Sequence, residues 1–307
     1  MALHRLTSIT LGVPDPAAST AFFADFGLAG ADDGWLATRD GGSQVRLTTA
    51  PRRRLERLGV GADDPDDLAR IAARVVSLGL GSIIDQTAQR LLVAEPVTGL
   101  PVEITVADRL AGGPPAADPT NRPGHLGRWD VPADSVLADQ PVQPSNLSHV
   151  VYCTPDQETT LRFVTDVLGF EISDQLPGII AFTRCGEVHH NLAIQQSPVA
   201  YAHHIAFEVD GVDDVVRGGQ AMVDGDPDRH VWGVGRHAIG SNWFWYLRDP
   251  SGTFVEYAAD VDRISAQDAY QPKEWAGQEF LWSFGPAVPG PFLEPSDLHD
   301  LIEAAAS

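Results

Sequence analysis

The chain repeats itself, and this repeat limits the possible folds more than any other feature. The stretch LTSITLGVPDPAASTAFFADFGL, from Leu6, has the same pattern as LSHVVYCTPDQETTLRFVTDVLGF, from Leu147. Each copy starts as a β-branched strand, passes a Pro-Asp turn and continues as an amphipathic helix. In the second copy we expect Thr154 to cap the helix, Pro155 to be its first residue and Gln157 to close a capping box. Such self-similarity indicates a fold built from repeated units.

A second pair of matching segments completes the pattern. Apolar residues at helical spacing begin after Asp63 and again after Asp210, and strand-like runs follow each helix. The chain therefore divides into four modules of one strand, one helix and further strands, near residues 6–50, 55–108, 146–196 and 202–260. Two βαβββ modules can pair into a curved mixed sheet around a cavity. The predicted class is α+β, with two such domains.

The predicted domains follow from these modules. The N-terminal domain spans residues 1–110, a Pro/Ala/Asp-rich linker spans 111–144, and the C-terminal domain spans 145–264. Residues 265–307 form a tail rich in Trp, Pro and Gly, which we expect to pack on the C-terminal domain.

The net charge limits which macromolecules the protein can bind, and the cysteine content indicates its cellular compartment. The 307 residues include 21 Lys and Arg against 42 Asp and Glu, a formal net charge of −21. This field repels phosphate, so we expect neither nucleic acid nor a membrane surface as a partner. No signal peptide or membrane-spanning run is visible. Cys153 and Cys185 have no CxxC spacing, and we expect free buried thiols in a cytoplasmic protein.

Three residues of the second half could bind one metal ion. His149, His204 and Glu256 each lie in a strand-like run, and alternation places His203 on the face opposite His204. One strand histidine alone is more often a packed core residue, but a carboxylate facing a β core needs a partner. Two imidazoles and a carboxylate without thiolate favour Fe(II), with Mn(II) also possible.

The first half lacks this set. When it is laid on the second half, the positions of the three candidate ligands fall at Ser8, a residue near Arg57, and Glu103. Both imidazoles are missing, so we expect the N-terminal domain to be metal-free. Glu103 is then expected to be a structural or surface carboxylate.

Three further residues could hold or move protons near the metal. His190 shares a strand face with the apolar residues that follow it, whereas His189 is expected to point away. His237 lies on a glycine-flanked loop of the kind that carries function. Tyr246 precedes Glu256 at a distance that allows both to lie on adjacent strands of one hairpin. Each residue alone is unspecific, and only their joint order points to a site.

These stretches resemble the type I extradiol ring-cleaving dioxygenases of the vicinal oxygen chelate superfamily. That group contains catechol 2,3-dioxygenases and 2,3-dihydroxybiphenyl 1,2-dioxygenases. The matching motifs are LSHVVYCTPD, HHNLAI, HHIAFEVDGVDDV, GRH and FWYLRDPSGTFVEYAAD, all within residues 146–260. The two-domain architecture extends the resemblance over essentially the whole chain, and it implies a vicinal oxygen chelate (glyoxalase-like) fold.

The resemblance also implies roles. The three candidate ligands would bind Fe(II) or Mn(II), His190 would be the acid–base residue, His237 a second hydrogen-bonding histidine, and Tyr246 a donor to a substrate oxygen. The implied reaction is cleavage of a catecholic ring next to the diol with O2, in aromatic-compound catabolism. We further expect a homo-oligomer, on the general grounds of edge strands and symmetry.

Two other functions remain open from sequence. A metal-dependent isomerase or lyase of the same superfamily would keep the ligands but would not need His190, His237 and Tyr246 together. A protein that only binds a small aromatic would not need the metal. Large aromatic residues could line a pocket or simply fill the core: Trp232, Trp243, Trp245, Trp275 and Trp282.

Overall fold

The computed structural model describes residues 3–110, 121–265, 270–277 and 281–305. The elements of the first half are β1 (Leu3–Val13), α1 (Pro16–Asp25), β2 (Ala29–Gly30), β3 (Trp35–Thr38), β4 (Gly42–Thr49), β5 (Arg54–Ala62), α2 (Pro65–Leu78), β6 (Ser82–Gln86), β7 (Arg90–Ala94) and β8 (Pro101–Val106).

A short helix, α3 (Asp134–Leu137), lies in the connection to the second half. The remaining elements are β9 (Asn146–Thr154), α4 (Gln157–Arg162), β10 (Glu171–Leu176), β11 (Ile180–Arg184), β12 (Leu192–Gln196), β13 (Tyr201–Glu208), α5 (Val212–Gly225), β14 (His230–Arg236), β15 (Trp243–Arg248), β16 (Phe254–Ala259), β17 (Lys273–Glu274), α6 (Gly290–Leu293) and α7 (Leu298–Ala305). Helix α4 continues as a π-helical segment, Phe163–Leu168.

Each half forms one mixed sheet in which two βαβββ modules meet side by side. The strand order is β2-β3-β4-β1-β5-β8-β7-β6 in the first sheet and β14-β15-β16-β13-β9-β12-β11-β10-β17 in the second. The modules join at the antiparallel pairs β1·β5 and β9·β13, and the first and last strands of each module pair in parallel. The predicted modules and the α+β class are confirmed.

The predicted cap of α4 is wrong by two residues. The helix begins at Gln157, and the Asp156 carboxylate accepts a hydrogen bond from the Thr159 amide at 3.0 Å. A carboxylate is a strong acceptor at a helix N-terminus, so Asp156 serves as the cap. Thr154 instead pairs its hydroxyl with that of Thr160, 3.0 Å away.

The two halves share contacts across their interface. The ring of Phe26, after α1, stacks on that of Tyr257 in β16 at 3.8 Å, and the Tyr257 hydroxyl donates to the Phe26 carbonyl at 2.8 Å. Near the end of the chain, Asp297 accepts a hydrogen bond of 2.6 Å from Arg53 of the first half. The Phe292 carbonyl lies 2.7 Å from His203 of the second half, so the described tail residues touch both halves of the molecule.

Cys153 and Cys185 are buried and unpaired, as predicted. Within the described ranges, no helix has the length and apolar character needed to cross a membrane.

Candidate metal centre and active site

Three neighbouring strands bring the candidate ligands together. His149 lies on β9, His204 on β13 and Glu256 on β16, with β13 between the other two. Ala206 pairs with His149 on one side and with Glu256 on the other. The ligand atoms of the three residues all lie within 4.8 Å of one another, and no other such group occurs among the described residues.

Glu256 is fully buried and only half satisfied. Its Oε1 accepts a hydrogen bond from the Asn242 amide at 3.0 Å. Its Oε2 has no hydrogen-bond partner and lies 3.2 Å from His149 Nε2 and 3.6 Å from His204 Nε2. An unpaired buried carboxylate is costly, and a divalent cation between these three atoms would remove that cost. The residues therefore fit the metal that the sequence implies.

His203 does not point to the opposite face, and that expectation is wrong. The pairing of β13 with β9 shifts register between Ala202 and His204, so His203 lies at a bulge. A bulge breaks the alternation of side chains along a strand. As a result the Nδ1 atoms of His203 and His204 lie 2.9 Å apart, and both rings border the same cavity.

This contact assigns the hydrogens of both rings. The Phe292 carbonyl can only accept, so the His203 Nε2 that lies 2.7 Å away must donate. Burial lowers the pKa of His203 to about 4, which keeps the ring neutral with one hydrogen. Its Nδ1 is therefore bare and accepts from His204 Nδ1. The Nε2 of His204 is left bare, as a metal ligand requires.

A cavity of about 150 Å³ opens on these residues. His190, His237 and Tyr246 border it, so the structure brings all the predicted site residues together, with Glu256 buried beside them. Its apolar lining consists of Val151, Ile179, Ile180, Phe182, Ile239, Leu281, Phe292 and Leu293. No Lys, Arg, Asp or Glu lines it in the described part of the chain.

His237 and Tyr246 form a hydrogen-bonded pair beside the ligands. The His237 Nδ1 donates to the Leu281 carbonyl, which leaves Nε2 bare. The Tyr246 hydroxyl lies 2.8 Å from that Nε2 and donates to it. Tyr246 is the direct cross-strand partner of Glu256, as the predicted hairpin requires.

Burial sets the protonation of this group. It lowers the pKa of His190 and of His204 well below the ordinary histidine value, and neighbouring imidazoles lower both further. Burial also lowers the pKa of His237, against the opposing charge of Glu256. The pKa of Tyr246 is raised well above its ordinary value by burial and by Glu256. These three imidazoles are therefore neutral, each with one N–H and one bare nitrogen, and the phenol keeps the hydrogen that it donates.

His190 and His189 lie before strand β12 rather than in it, so the predicted strand alternation does not apply to them. His190 still lines the cavity, and its ring lies 4.3 Å from that of His149. His189 does not line the cavity, which agrees with the prediction, but its Nδ1 lies 3.1 Å from that of His190.

In the first half, arginine side chains surround the carboxylate that corresponds to Glu256. Gly59 pairs with Ser8 and with Glu103, just as Ala206 pairs with the first and last ligands. Glu103 instead accepts hydrogen bonds from Arg57 at 3.4 Å and from Arg90 at 2.9 Å. The predicted correspondence of positions holds in this register, and two guanidinium groups neutralise the carboxylate.

None of the five tryptophans that were considered as pocket residues from sequence lines the cavity. Trp232 and Trp245 are buried in the core, and aliphatic residues with two phenylalanines form the apolar wall instead. Two residues of the site were not predicted: Asn242, which donates to Glu256, and Phe292, whose carbonyl accepts from His203. Asn242 follows Gly240 and Ser241 in a loop without a distinguishing motif, and Phe292 contributes through its backbone carbonyl, which leaves no trace in sequence.

Comparisons with known proteins match either the second half of the chain or nearly all of it. A model of the Glyoxalase/Bleomycin resistance protein/Dioxygenase superfamily matches residues 146–257. Metapyrocatechase 2 of Cupriavidus necator is 31% identical over 96% of this chain and 93% of that protein. Biphenyl-2,3-diol 1,2-dioxygenase of Paraburkholderia xenovorans is 31% identical over 86% of this chain and 91% of that protein. The solved Mn(II)-bound glyoxalase of Novosphingobium aromaticivorans has a TM-score of 0.73 and 26% identity, and the match covers 100% of this chain and 99% of that one.

Proposed function

The chain belongs to the extradiol dioxygenases of the glyoxalase/bleomycin resistance protein/dioxygenase superfamily, and from this we propose that it opens a catecholic ring next to the diol with O2, in the catabolism of aromatic compounds. The observation that carries the proposal is the unpartnered Oε2 of Glu256, which faces two imidazoles at the edge of an apolar cavity. A cation would pair with that oxygen, and the cavity has room for a small aromatic ring.

The proposed metal ligands are His149, His204 and Glu256, and the proposed metal is Fe(II), with Mn(II) as the alternative. Both ions accept two imidazoles and a carboxylate. When bound, the metal would supply a Lewis acid for the diol and a redox-active centre for O2. The Mn(II)-bound structural relative keeps the alternative open.

The remaining site residues handle protons and substrate orientation. His190 would accept a proton from the substrate at its bare ring nitrogen. Tyr246 would turn its hydroxyl from His237 to a substrate oxygen, and His237 would keep it oriented by remaining the alternative acceptor. Groups of this kind typically contribute about 10²–10⁴-fold in rate.

The cavity lining favours an uncharged catechol with a small apolar substituent. Its wall is aliphatic and aromatic, and no described basic residue lines it to pair with a substrate carboxylate. A carboxylated catechol would lose its hydration without gaining a partner. We therefore expect a higher kcat/KM for an alkylcatechol than for a carboxylated catechol of similar size.

Oxygen uptake with a catechol panel tests the function. Protein loaded anaerobically with Fe(II), and separately with Mn(II), should consume one O2 per catechol and form a coloured ring-opened product. The His204→Ala variant should not, whereas His299→Ala, at an exposed site in the tail, should behave as the parent. Turnover without oxygen uptake would support an isomerase or lyase instead. Absence of bound metal in both loaded samples would support a binding protein.

The proposal also includes the localisation and the oligomeric state of the protein. We propose a cytoplasmic protein, which the two free buried thiols support. We also propose a homo-oligomer, supported by exposed apolar side chains around α3, namely Trp129, Val136 and Leu137. Light scattering coupled to gel filtration would give the mass of the particle and reject the proposal if it equals one chain.

A further inference from the structure

A continuous chain of hydrogen bonds lies behind His190. His189 is fully buried, and its Nδ1 lies 3.1 Å from His190 Nδ1. Its Nε2 lies 3.1 Å from the Tyr270 hydroxyl and 3.5 Å from Asp174 Oδ2. The Tyr270 hydroxyl is 3.2 Å from Asp174 Oδ1. Of these four residues only His190 lines the cavity, so the other three can act on the reaction only through it.

Asp174 determines which group donates in each of these hydrogen bonds. The carboxylate is buried and accepts hydrogen bonds from the Lys273 amide at 2.8 Å and from the Trp275 indole at 3.1 Å. Burial raises the pKa of Asp174, but hydrogen bonds from His189, Lys273 and Trp275 outweigh it and hold the pKa below its ordinary value. An ionised carboxylate only accepts hydrogen bonds, so the single hydroxyl hydrogen of Tyr270 is committed to Asp174.

The hydrogen bond from Tyr270 to Asp174 determines which ring nitrogen of His189 and of His190 carries the hydrogen. The Tyr270 oxygen presents a lone pair to His189, whose Nε2 must therefore carry a hydrogen. In the neutral form of His189, which has only one N–H, Nδ1 is bare and accepts from His190 Nδ1. The Nε2 of His190 is then left bare, and no described residue forms a hydrogen bond with it.

We propose that Asp174, Tyr270 and His189 are positioning residues that hold His190 in the tautomer with its hydrogen on Nδ1, so that its bare Nε2 is available to a substrate proton. The opposite tautomer would present an N–H to the substrate and could not accept a proton. The choice of tautomer by the hydrogen bond of the other ring nitrogen is general for histidine. The inference rests on the proposed acid–base role of His190 only for its effect on the reaction.

This arrangement gives the tail segment 270–277 a part in the active site. Tyr270, Lys273 and Trp275 all come from it, and β17 pairs with β10 so that Asp174 lies opposite Lys273. The same logic operates at His204, where His203 and the Phe292 carbonyl select the bare nitrogen. Two adjacent-histidine pairs therefore prepare two different histidines of one site.

Nitrogen-15 NMR of histidine side chains in metal-free protein tests the tautomer without any turnover. We expect the signals of His190, assigned by their loss in His190→Asn, to show a protonated Nδ1 and a bare Nε2. A protonated Nε2 in the parent protein would overturn the proposal. This outcome does not depend on whether the protein cleaves catechols, so the two proposals fail separately.

Substitutions of Asp174 and Tyr270 test the hydrogen bonds behind His190. Asp174→Asn can turn its amide NH2 towards Tyr270, which releases the hydroxyl hydrogen and should give mixed tautomers of His190. With a catechol that the parent cleaves, we expect kcat to fall about 10- to 100-fold, as for other outer-shell partners, with little change in KM. Tyr270→Phe should lose less, because His189 can still reach Asp174 directly.

Conservative substitutions separate positioning from packing. His189→Gln offers an oxygen to His190 and an NH2 to Tyr270, so it should retain most of kcat, whereas His189→Leu offers neither. The matched controls are Asp166→Asn on the surface and Tyr152→Phe, whose buried hydroxyl donates to Thr98. If His189→Gln and His189→Leu lose kcat equally while both keep the parent's metal content and stability, the proposal is wrong.

Discussion

The Nδ1 atoms of His203 and His204 lie 2.9 Å apart, and the Phe292 carbonyl lies 2.7 Å from the far nitrogen of His203. Adjacent residues of a regular strand point to opposite faces, so this contact exists only because β13 is bulged at His203. The bulge converts a neighbour in sequence into a support for the proposed metal ligand. This support can be removed without touching the ligand itself.

We expect His203→Ala to weaken metal binding about 10- to 100-fold, the usual effect of losing an outer-shell partner. Without His203, the hydrogen of His204 is free to move to Nε2 and block the lone pair. Competition with a chelator for Mn(II) would measure the affinity. The control is His299→Ala, whose side chain is 81% exposed. An affinity equal to the parent's would mean that His203 plays no part in preparing His204.

Glu256→Gln should stabilise the metal-free protein and abolish its stabilisation by metal. The variant replaces a buried carboxylate oxygen that has no hydrogen-bond partner, a defect worth about 1–3 kcal/mol, by a neutral amide. Urea unfolding with chelator and with Mn(II) would measure both effects.

The repeat supplies the control for this experiment. Glu103 occupies the corresponding position of the first half but is paired with Arg57 and Arg90. Glu103→Gln should therefore lower stability in both conditions and leave the metal effect intact. Equal metal-induced stabilisation in Glu256→Gln and the parent would remove Glu256 from the ligand set.

The stability of the metal-free protein should fall as the pH drops from about 6.5 to about 4. Burial lowers the pKa of His203 from 6.5 to about 4. Between these two pH values His203 is therefore protonated in the unfolded chain but not in the folded chain, and this favours unfolding. Each such histidine contributes a slope of up to about 1.4 kcal/mol per pH unit in this window. Urea unfolding at several pH values should show a smaller slope for His203→Gln and the parent's slope for His299→Gln. An unchanged slope in His203→Gln would contradict the assignment.

Phe292→Ala should distinguish the effect of the Phe292 ring on stability from the effect of its carbonyl on metal affinity. The ring is buried against His203 and Tyr246, and losing a buried phenylalanine costs about 3–5 kcal/mol. The carbonyl remains, so metal affinity should stay near that of the parent. Phe284→Ala, at a ring 49% exposed, should cost much less stability. A loss of metal affinity as large as that of His203→Ala would show that the ring, not the carbonyl, orients the histidines.

The pattern of the chain predicted the architecture and the members of the site because both depend on local regularities. Strand and helix periods, repeated along the chain, define the modules, and equal pairing registers place Ser8 and Glu103 where the second half has His149 and Glu256. Tyr246 and Glu256 share one hairpin for the same reason. These relations hold wherever the alternation of side chains is undisturbed.

Where the alternation is disturbed, only the tertiary structure decided the outcome. Strand alternation predicted that His203 and His189 point away from their neighbours, yet a bulge brings His203 against His204 and a loop brings His189 against His190. The partners that select their hydrogens, Asp174, Tyr270 and the Phe292 carbonyl, are distant in sequence or belong to the backbone. The sequence by itself therefore predicted the six residues that the structure brings together, while tertiary contacts determined which nitrogen of each paired histidine is bare, because a tautomer depends on what faces the other side of the ring.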